Sequence, residues 1–364
     1  MIFMERRDAE TQGFFFGSLR YAKFQKFGIS KCFLFFVICS FLFFISCQNE
    51  PHPTSSTSSI PTTGNPAIDG LSKEIAASPN DPRLYAQRGA LNYENEGYDG
   101  AIRDLNKALS YDSTNVTYLH LLADAYLDYY QSYNAISTMK KAATLYPKRI
   151  PTLLKLCEFQ LILQQYDESI NTINNILKIQ PLNAEAFFML GMNFKEMGNV
   201  DRAIGSFQTA VENDPDLIDA WINLGQLHSQ KKSKLTPVFF DNALKIDPNN
   251  VSALHAKAEY LHHSDQLPAA IATYRQLNII DPTYEEGFFN SGIIYLEMDS
   301  LKQAYNHFNL AVQTSPTYIL AYYYRGLVQE KVGNVAAAKK DYQQALNLNP
   351  EFERASVALA ELTD

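Results

Sequence analysis

The sequence predicts an all-α protein: a solenoid of about eight helix–turn–helix units with a capping helix at each end. Three observations carry this. A set of landmarks returns every 34 residues from Pro82 to Pro350. The landmarks are small and large apolar residues at helical spacing. A proline closes nearly every unit, where it cannot continue a helix. With 46% hydrophobic and 19% charged residues over 364 positions, the chain has the composition of a folded protein. Stacked repeats grow one core without splitting into globules, so length alone does not set a domain count.

Taken in order, the chain opens on an address. Arg20, Lys23, Lys26 and Lys31 precede the uncharged run Cys32–Ser46, and Cys47 follows. A basic region, a short apolar region and a small residue before a cut form a secretory signal, expected over residues 1–46. The run is shorter than the ~20 residues of a spanning helix. Its end, Phe44-Ile45-Ser46-Cys47, resembles the lipobox of bacterial lipoproteins, with Phe where that family usually has Leu. The resemblance implies cleavage before Cys47 and its lipidation; an uncleaved apolar anchor with an incidental Cys is the alternative. Several acyl chains on one Cys anchor a protein stably. Cys32 and Cys39 would leave with the signal, and Cys157 would remain without a partner for a disulfide. Residues 47–65 then form a tether, with eight Ser/Thr and two Pro in the stretch Pro53–Asn65.

The body beyond residue 47 carries 25 Lys/Arg and 36 Asp/Glu, a net of −11. Nucleic-acid binding needs cations to neutralise phosphates, so no nucleic-acid partner is expected. Residues 66–81 read as an N-terminal capping helix, 82–352 as the array, and 353–364 as a C-terminal cap with Glu353, Arg354 and Glu361 on its outer face.

With Gly191 as position eight, units begin at Pro82, Val116, Ile150, Ala184, Ile218, Val251, Glu285 and Ile319. Position eight is always small: Gly89, Ala123, Cys157, Gly191, Gly225, Ala258, Gly292 and Gly326. Position four is large and apolar or aromatic, from Tyr85 to Tyr322. Position twenty is mostly Ala, and position twenty-four is large throughout. Positions four, eight and eleven share one helix face, as do twenty, twenty-four and twenty-seven on a second helix. Small residues at eight and twenty let the two backbones approach. Leu at Gly225 should overpack that approach, whereas Ala should fit, because Ala123 and Ala258 hold the same slot. Gly198-Asn199 and Gly333-Asn334 should break the chain between helices. The fifth unit is one residue short near Lys232–Pro237.

This 34-residue alphabet resembles the tetratricopeptide repeat (TPR) from Pro82 to about Phe352. The resemblance implies a right-handed superhelix whose concave groove is lined by positions two, five, six, nine, twelve and thirteen of each first helix. On these positions the candidate partner-binding residues are His120, Asp124, Glu158, Phe188, Met192, Asn223, Gln226, His255, Glu259, Phe289, Asn290 and Tyr323. Family members that clamp chaperone tails place Lys at five and Asn at nine. No unit here has both, so no such clamp is expected. Aromatic and aliphatic contacts with Asn amides suit a peptide.

No phosphate-cradling loop, nucleophile elbow or catalytic constellation stands out, so neither an enzyme nor a cofactor is expected. His255, Glu259, His262 and His263 share a helix at spacings that suit Zn²⁺, with a solvated helix face as the alternative. Cys157 reads as a buried structural thiol. The function expected is a lipid-anchored, exported scaffold or adaptor at a bacterial envelope membrane, serving assembly, secretion or cell-wall machinery. A glycan or peptidoglycan binder, prompted by Tyr323 and Tyr324, is the rival.

Overall fold

The computed structural model describes residues 64–362. The signal over 1–46, Cys47 and the tether up to Thr63 lie outside the described residues, as do the last two of the C-terminal cap. The described residues form eighteen helices and no strand. The chain divides into two compact units, Met1–Pro181 and Leu182–Asp364.

The first unit holds α1 (Pro66–Ala77) and three helix pairs: α2 (Pro82–Glu94) with α3 (Tyr98–Tyr111), α4 (Val116–Asp128) with α5 (Ser132–Leu145), and α6 (Ile150–Ile162) with α7 (Tyr166–Ile179). The second unit holds five pairs: α8 (Ala184–Glu196) with α9 (Val200–Asn213), α10 (Ile218–Gln230) with α11 (Thr236–Ile246), α12 (Val251–His263) with α13 (Leu267–Ile280), α14 (Glu285–Glu297) with α15 (Leu301–Thr314), and α16 (Ile319–Lys331) with α17 (Val335–Leu348). It ends on α18 (Glu353–Glu361), which buries Ala355 and leaves Glu353, Arg354 and Glu361 exposed. None of the described helices is long and apolar enough to cross a membrane. The fold is an α-solenoid of TPR-type helix–turn–helix units.

Side-chain caps start several of the first helices. Asn115 accepts from the Thr117 and Tyr118 amides, Asn183 from Ala186, and Asn250 from Ala253. Every first helix then stops on a residue with positive φ at position fifteen: Glu96, Tyr130, Gln164, Gly198, Lys232, Asp265, Asp299 and Gly333. Two bonds close each turn. After α8 the Gly198 amide donates to the Lys195 carbonyl at 3.0 Å, and the Asn199 amide to Phe194 at 2.8 Å. Glycine was the only signal for this turn in the sequence, yet six units make it with a side chain.

The core follows the repeat. All eight residues at position twenty-four, from Leu105 to Tyr342, are at most 1% exposed, and those at positions twenty and twenty-seven are fully buried. Trp221 at position four donates its indole N–H to the Pro215 carbonyl at 2.8 Å, which ties a first helix to the proline before it. In the first and last pairs an arginine at position seven forks onto a buried aspartate. Arg88 donates to both Asp104 oxygens at 2.7 Å, and Arg325 to both Asp341 oxygens at 2.9 and 2.6 Å. The fifth repeat is one residue short ahead of its second helix, α11, which begins late, at Thr236, and holds eleven residues against fourteen for the second helices on either side.

One expectation fails. Ala does not fit at Gly225: a Cβ there would lie 2.4 Å from Cε1 of Phe240, whose ring is 1% exposed. Ala123 is clustered with Met139 and Ala258 with the buried Tyr274 ring, so a methyl at position eight can sit beside a ring elsewhere, and it is the close approach of Phe240 in this pair that leaves no room for one.

Candidate partner-binding face

Side chains at inner positions of the first helices reach the next first helix and build a polar face. In the first unit, Lys155 Nζ on α6 donates to Asp124 Oδ1 on α4 at 2.8 Å, with both side chains largely buried. Arg149 Nη1 donates to Thr152 Oγ1 at 3.2 Å, and Thr152 Oγ1 lies 3.1 Å from His120 Nε2. The His120 pKa is pushed down to about 4 by burial, then by the Lys155 and Arg149 charges. At neutral pH the ring is therefore uncharged, and its Nε2 shares a hydrogen bond with the Thr152 hydroxyl. Glu158 is half-buried on the same helix as Lys155. His120 and Asp124 thus share one network, and Lys155, Thr152 and Arg149 complete it.

Cys157 sits behind this face, fully buried, with its thiol donating to the Leu154 carbonyl at 3.0 Å. Burial and then Glu158 raise its pKa well above the usual thiol value, which leaves an unreactive thiol.

In the second unit the candidates separate into two classes. Phe188 and Phe289, expected to project into a groove, are each only 8% exposed. Phe188 packs on Phe207, with ring centroids 5.6 Å apart. Phe289 packs on Phe308, Tyr318 and Tyr324 at 5.7, 5.1 and 5.5 Å. Both rings fold down toward position twenty-four of their own pair and belong to the core. Asn223 is also engaged: it accepts from Lys195 Nζ at 2.7 Å and donates to the Asp219 carbonyl at 2.8 Å. Asn290 is half-buried and faces the Tyr274 hydroxyl. Met192 and Gln226 are half-buried on α8 and α10. Tyr323 is edge-on to Tyr324 and Phe352 and lies against Tyr342. The ring faces that prompted the glycan reading are therefore spent largely on one another.

The histidine cluster on α12 does not converge. His255 Nε2 is 3.9 Å from Glu259 Oε2, while its Nδ1 lies 3.3 Å from the Tyr284 hydroxyl. That hydroxyl donates to Glu286 Oε2 at 2.9 Å. His262 Nε2 pairs instead with Glu297 on α14 at 2.7 Å, and His263 Nδ1 donates to the Glu259 carbonyl. Among the described residues no group of three or more His, Cys, Asp or Glu could hold a metal ion.

The face has a feature that position five did not announce. Glu185 and Asp219, at position two of α8 and α10, both have pKa values raised, first by burial. Asp214 adds to the shift of Glu185. Among the described residues neither has an ion-pair partner. The nearby cation Lys195 is itself depressed by burial and donates to Asn223. The signal was present in the sequence: position two is acidic in the fourth, fifth and seventh units, at Glu185, Asp219 and Glu286.

Stacked helix pairs with a polar, partly desolvated first-helix face define a TPR-type protein-interaction scaffold. The comparisons agree at that level. Residues 319–352, the eighth helix pair and its exit, match the tetratricopeptide repeat model, and residues 91–258 match the FAT domain model. The DnaJ homolog subfamily C member 7 homolog of Dictyostelium discoideum is 25% identical over 194 residues, 52% of this chain and 32% of that protein. Tetratricopeptide repeat protein 6 of Homo sapiens is 26% identical over 195 residues, 52% of this chain and 37% of that protein. The chain thus spans about a third of the length of these relatives. A chain of the APC/C hetero-tetramer Cut9–Hcn1 is similar in fold, with a TM-score of 0.51 at 15% identity over 82% of this chain and 58% of that one.

Proposed function

We propose that the chain is a membrane-anchored scaffold that recruits a protein or peptide partner through its first-helix faces at a bacterial cell envelope, by binding and without turnover. The observation that carries the binding surface is the pair Glu185 and Asp219. A carboxylate that has lost water without gaining a cation is held at a cost, and a partner that brings donors or positive charge relieves it. Met192, half-buried seven residues beyond Glu185 on α8, supplies apolar contact. The anchor rests on the basic and apolar run before Cys47 and on the Ser/Thr/Pro tether after it.

Two experiments test the two halves separately. Glu185→Gln with Asp219→Asn should leave the melt within about 1 kcal/mol of wild type. The same change should lower partner capture from a native envelope extract by about tenfold or more, since hydrogen bonds to a charged group are worth roughly 1.5–3 kcal/mol. Undiminished capture by the folded variant would move the binding surface elsewhere. Cys47→Ser should abolish labelling by radioactive palmitate and leave the body folded; persistent labelling would sink the lipid anchor and leave the binding surface untouched.

A further inference from the structure

The helix–helix turns of the first unit carry an edge that the first-helix face does not use. The turn from α2 to α3 and the turn from α4 to α5 adjoin there. Tyr98 stacks on Tyr129 with ring centroids 5.6 Å apart, and the Tyr129 hydroxyl donates to Asp99 Oδ2 at 3.1 Å. Around them Tyr130 and Tyr133 are 76% and 82% exposed, the two most exposed large apolar side chains of the described residues. Glu96 and Asp99 are exposed beside them.

The chemistry of this edge is one-sided. The segments Asn92–Gly100 and Tyr126–Asn134 together hold six Tyr, four Asp/Glu and no Lys or Arg. The corresponding turn of the fifth unit holds Lys231, Lys232 and Lys234 and no Tyr. Tyr130 occupies the turn at φ 59°, where Gly198 and Gly333 stand in other units. A bulky ring in that conformation is disfavoured, and the turn holds this one 76% exposed.

We propose that this edge docks a cationic polypeptide segment, whose Lys or Arg stems lie on the Tyr98, Tyr129, Tyr130 and Tyr133 rings and whose charges reach Glu96 and Asp99. Tyrosine faces attract cations through their quadrupole, and Lys and Arg stems cover apolar surface while the charged head stays wet. Glu94, Glu96 and Asp99, all exposed in turns that hold no Lys or Arg, supply the complementary field, while Asp128 accepts from the Tyr93 hydroxyl. Tyrosine also suits an interface because it offers a large rigid surface at low entropic cost. This surface stands independently of the Glu185 and Asp219 face, so either can fail without the other.

The test uses the full chain in detergent, with fluorescent oligolysine as the probe and oligoglutamate as its counterpart. Oligolysine should bind and oligoglutamate should not, and added salt should weaken the complex, because exposed charges are screened over about 8–10 Å. Tyr130→Gly with Tyr133→Ser leaves net charge unchanged and should weaken oligolysine binding by about tenfold. Glu96→Gln with Asp99→Asn should do the same and serves as the second variant should the first not fold. Asp299→Asn with Glu351→Gln removes the same charge from the second unit and should change affinity by less than about twofold. Unchanged binding by the folded tyrosine variant would overturn the proposal. Equal weakening by the second-unit control would do so as well, since it would reduce the effect to net charge. A neutral oligosaccharide held with the same tyrosine dependence, in place of oligolysine, would replace the cationic partner with a glycan.

Discussion

Gly225 is set by a ring. Phe240 Cε1 lies 2.4 Å from the point where a Cβ would stand, so even one methyl must move a buried ring or push the two helices of the pair away from each other. Gly225→Ala should therefore cost about 1–3 kcal/mol in urea melts, and Gly225→Leu more. Ala258→Gly, in the pair that already accommodates a methyl, should cost only the ~0.5–1 kcal/mol of a helical glycine. Equal melts for Gly225→Ala and wild type would contradict the contact. His120 makes a second prediction at this scale. Its folded pKa of about 4 lies below the ordinary 6.5, so the unfolded chain binds its proton more readily. Stability from this group is present above pH ~6.5 and is lost as pH falls toward ~4, by up to about 3 kcal/mol. His120→Gln should lose less stability than wild type between about pH 7 and pH 4.5; identical losses would remove His120 from the acid response.

The helix hairpin is the element that repeats, and its two signatures behave differently under substitution. The turn at position fifteen holds Gln164 at φ 58° on an exposed site. Gln164→Gly relieves the left-handed conformation and should raise stability by up to about 1 kcal/mol, less the extra freedom of glycine in the unfolded chain. A loss of stability in urea would show that the Gln side chain supports the turn. The forked pair of the last hairpin behaves in the opposite sense. Asp341 is 7% exposed, and Arg325 is held against it by two bonds. Asp341→Ala strands the guanidinium and should cost about 3–5 kcal/mol, whereas replacing both partners by apolar residues should cost far less. Additive single and double variants would mean that the pair is not coupled.

Across the whole molecule, the repeat was legible because its landmarks are steric. A small residue at eight, a large one at twenty-four and a proline at thirty-two each answer a packing or backbone constraint that composition displays directly. The proposed binding face was less legible because a helical wheel gives direction without depth. Phe188 and Phe289 lie at the angle of a lining residue, yet a long flat ring can tilt into the gap between helices, and both do. Asn223 has the right angle as well, and it spends its amide on Lys195 and Asp219. What marks the proposed face is the half-burial of Glu185 and Asp219, which raises both pKa values and which a helical wheel does not report. Phe188→Ala or Phe289→Ala should accordingly cost about 3–5 kcal/mol each as core truncations. A melt near wild type would return these rings to the surface.

The left-handed turn at position fifteen has a consequence for how such a chain can vary. Eight hairpins close with the same two backbone bonds, whether the residue there is Gly, Glu, Tyr, Gln, Lys or Asp. The bonds come from main-chain amides, so the fold asks nothing of the side chain except that it tolerate a fixed penalty of about 1–2 kcal/mol. Each hairpin tip is therefore an interchangeable socket, in which charge and aromaticity can be rewritten one repeat at a time while the helices beneath stay as they are.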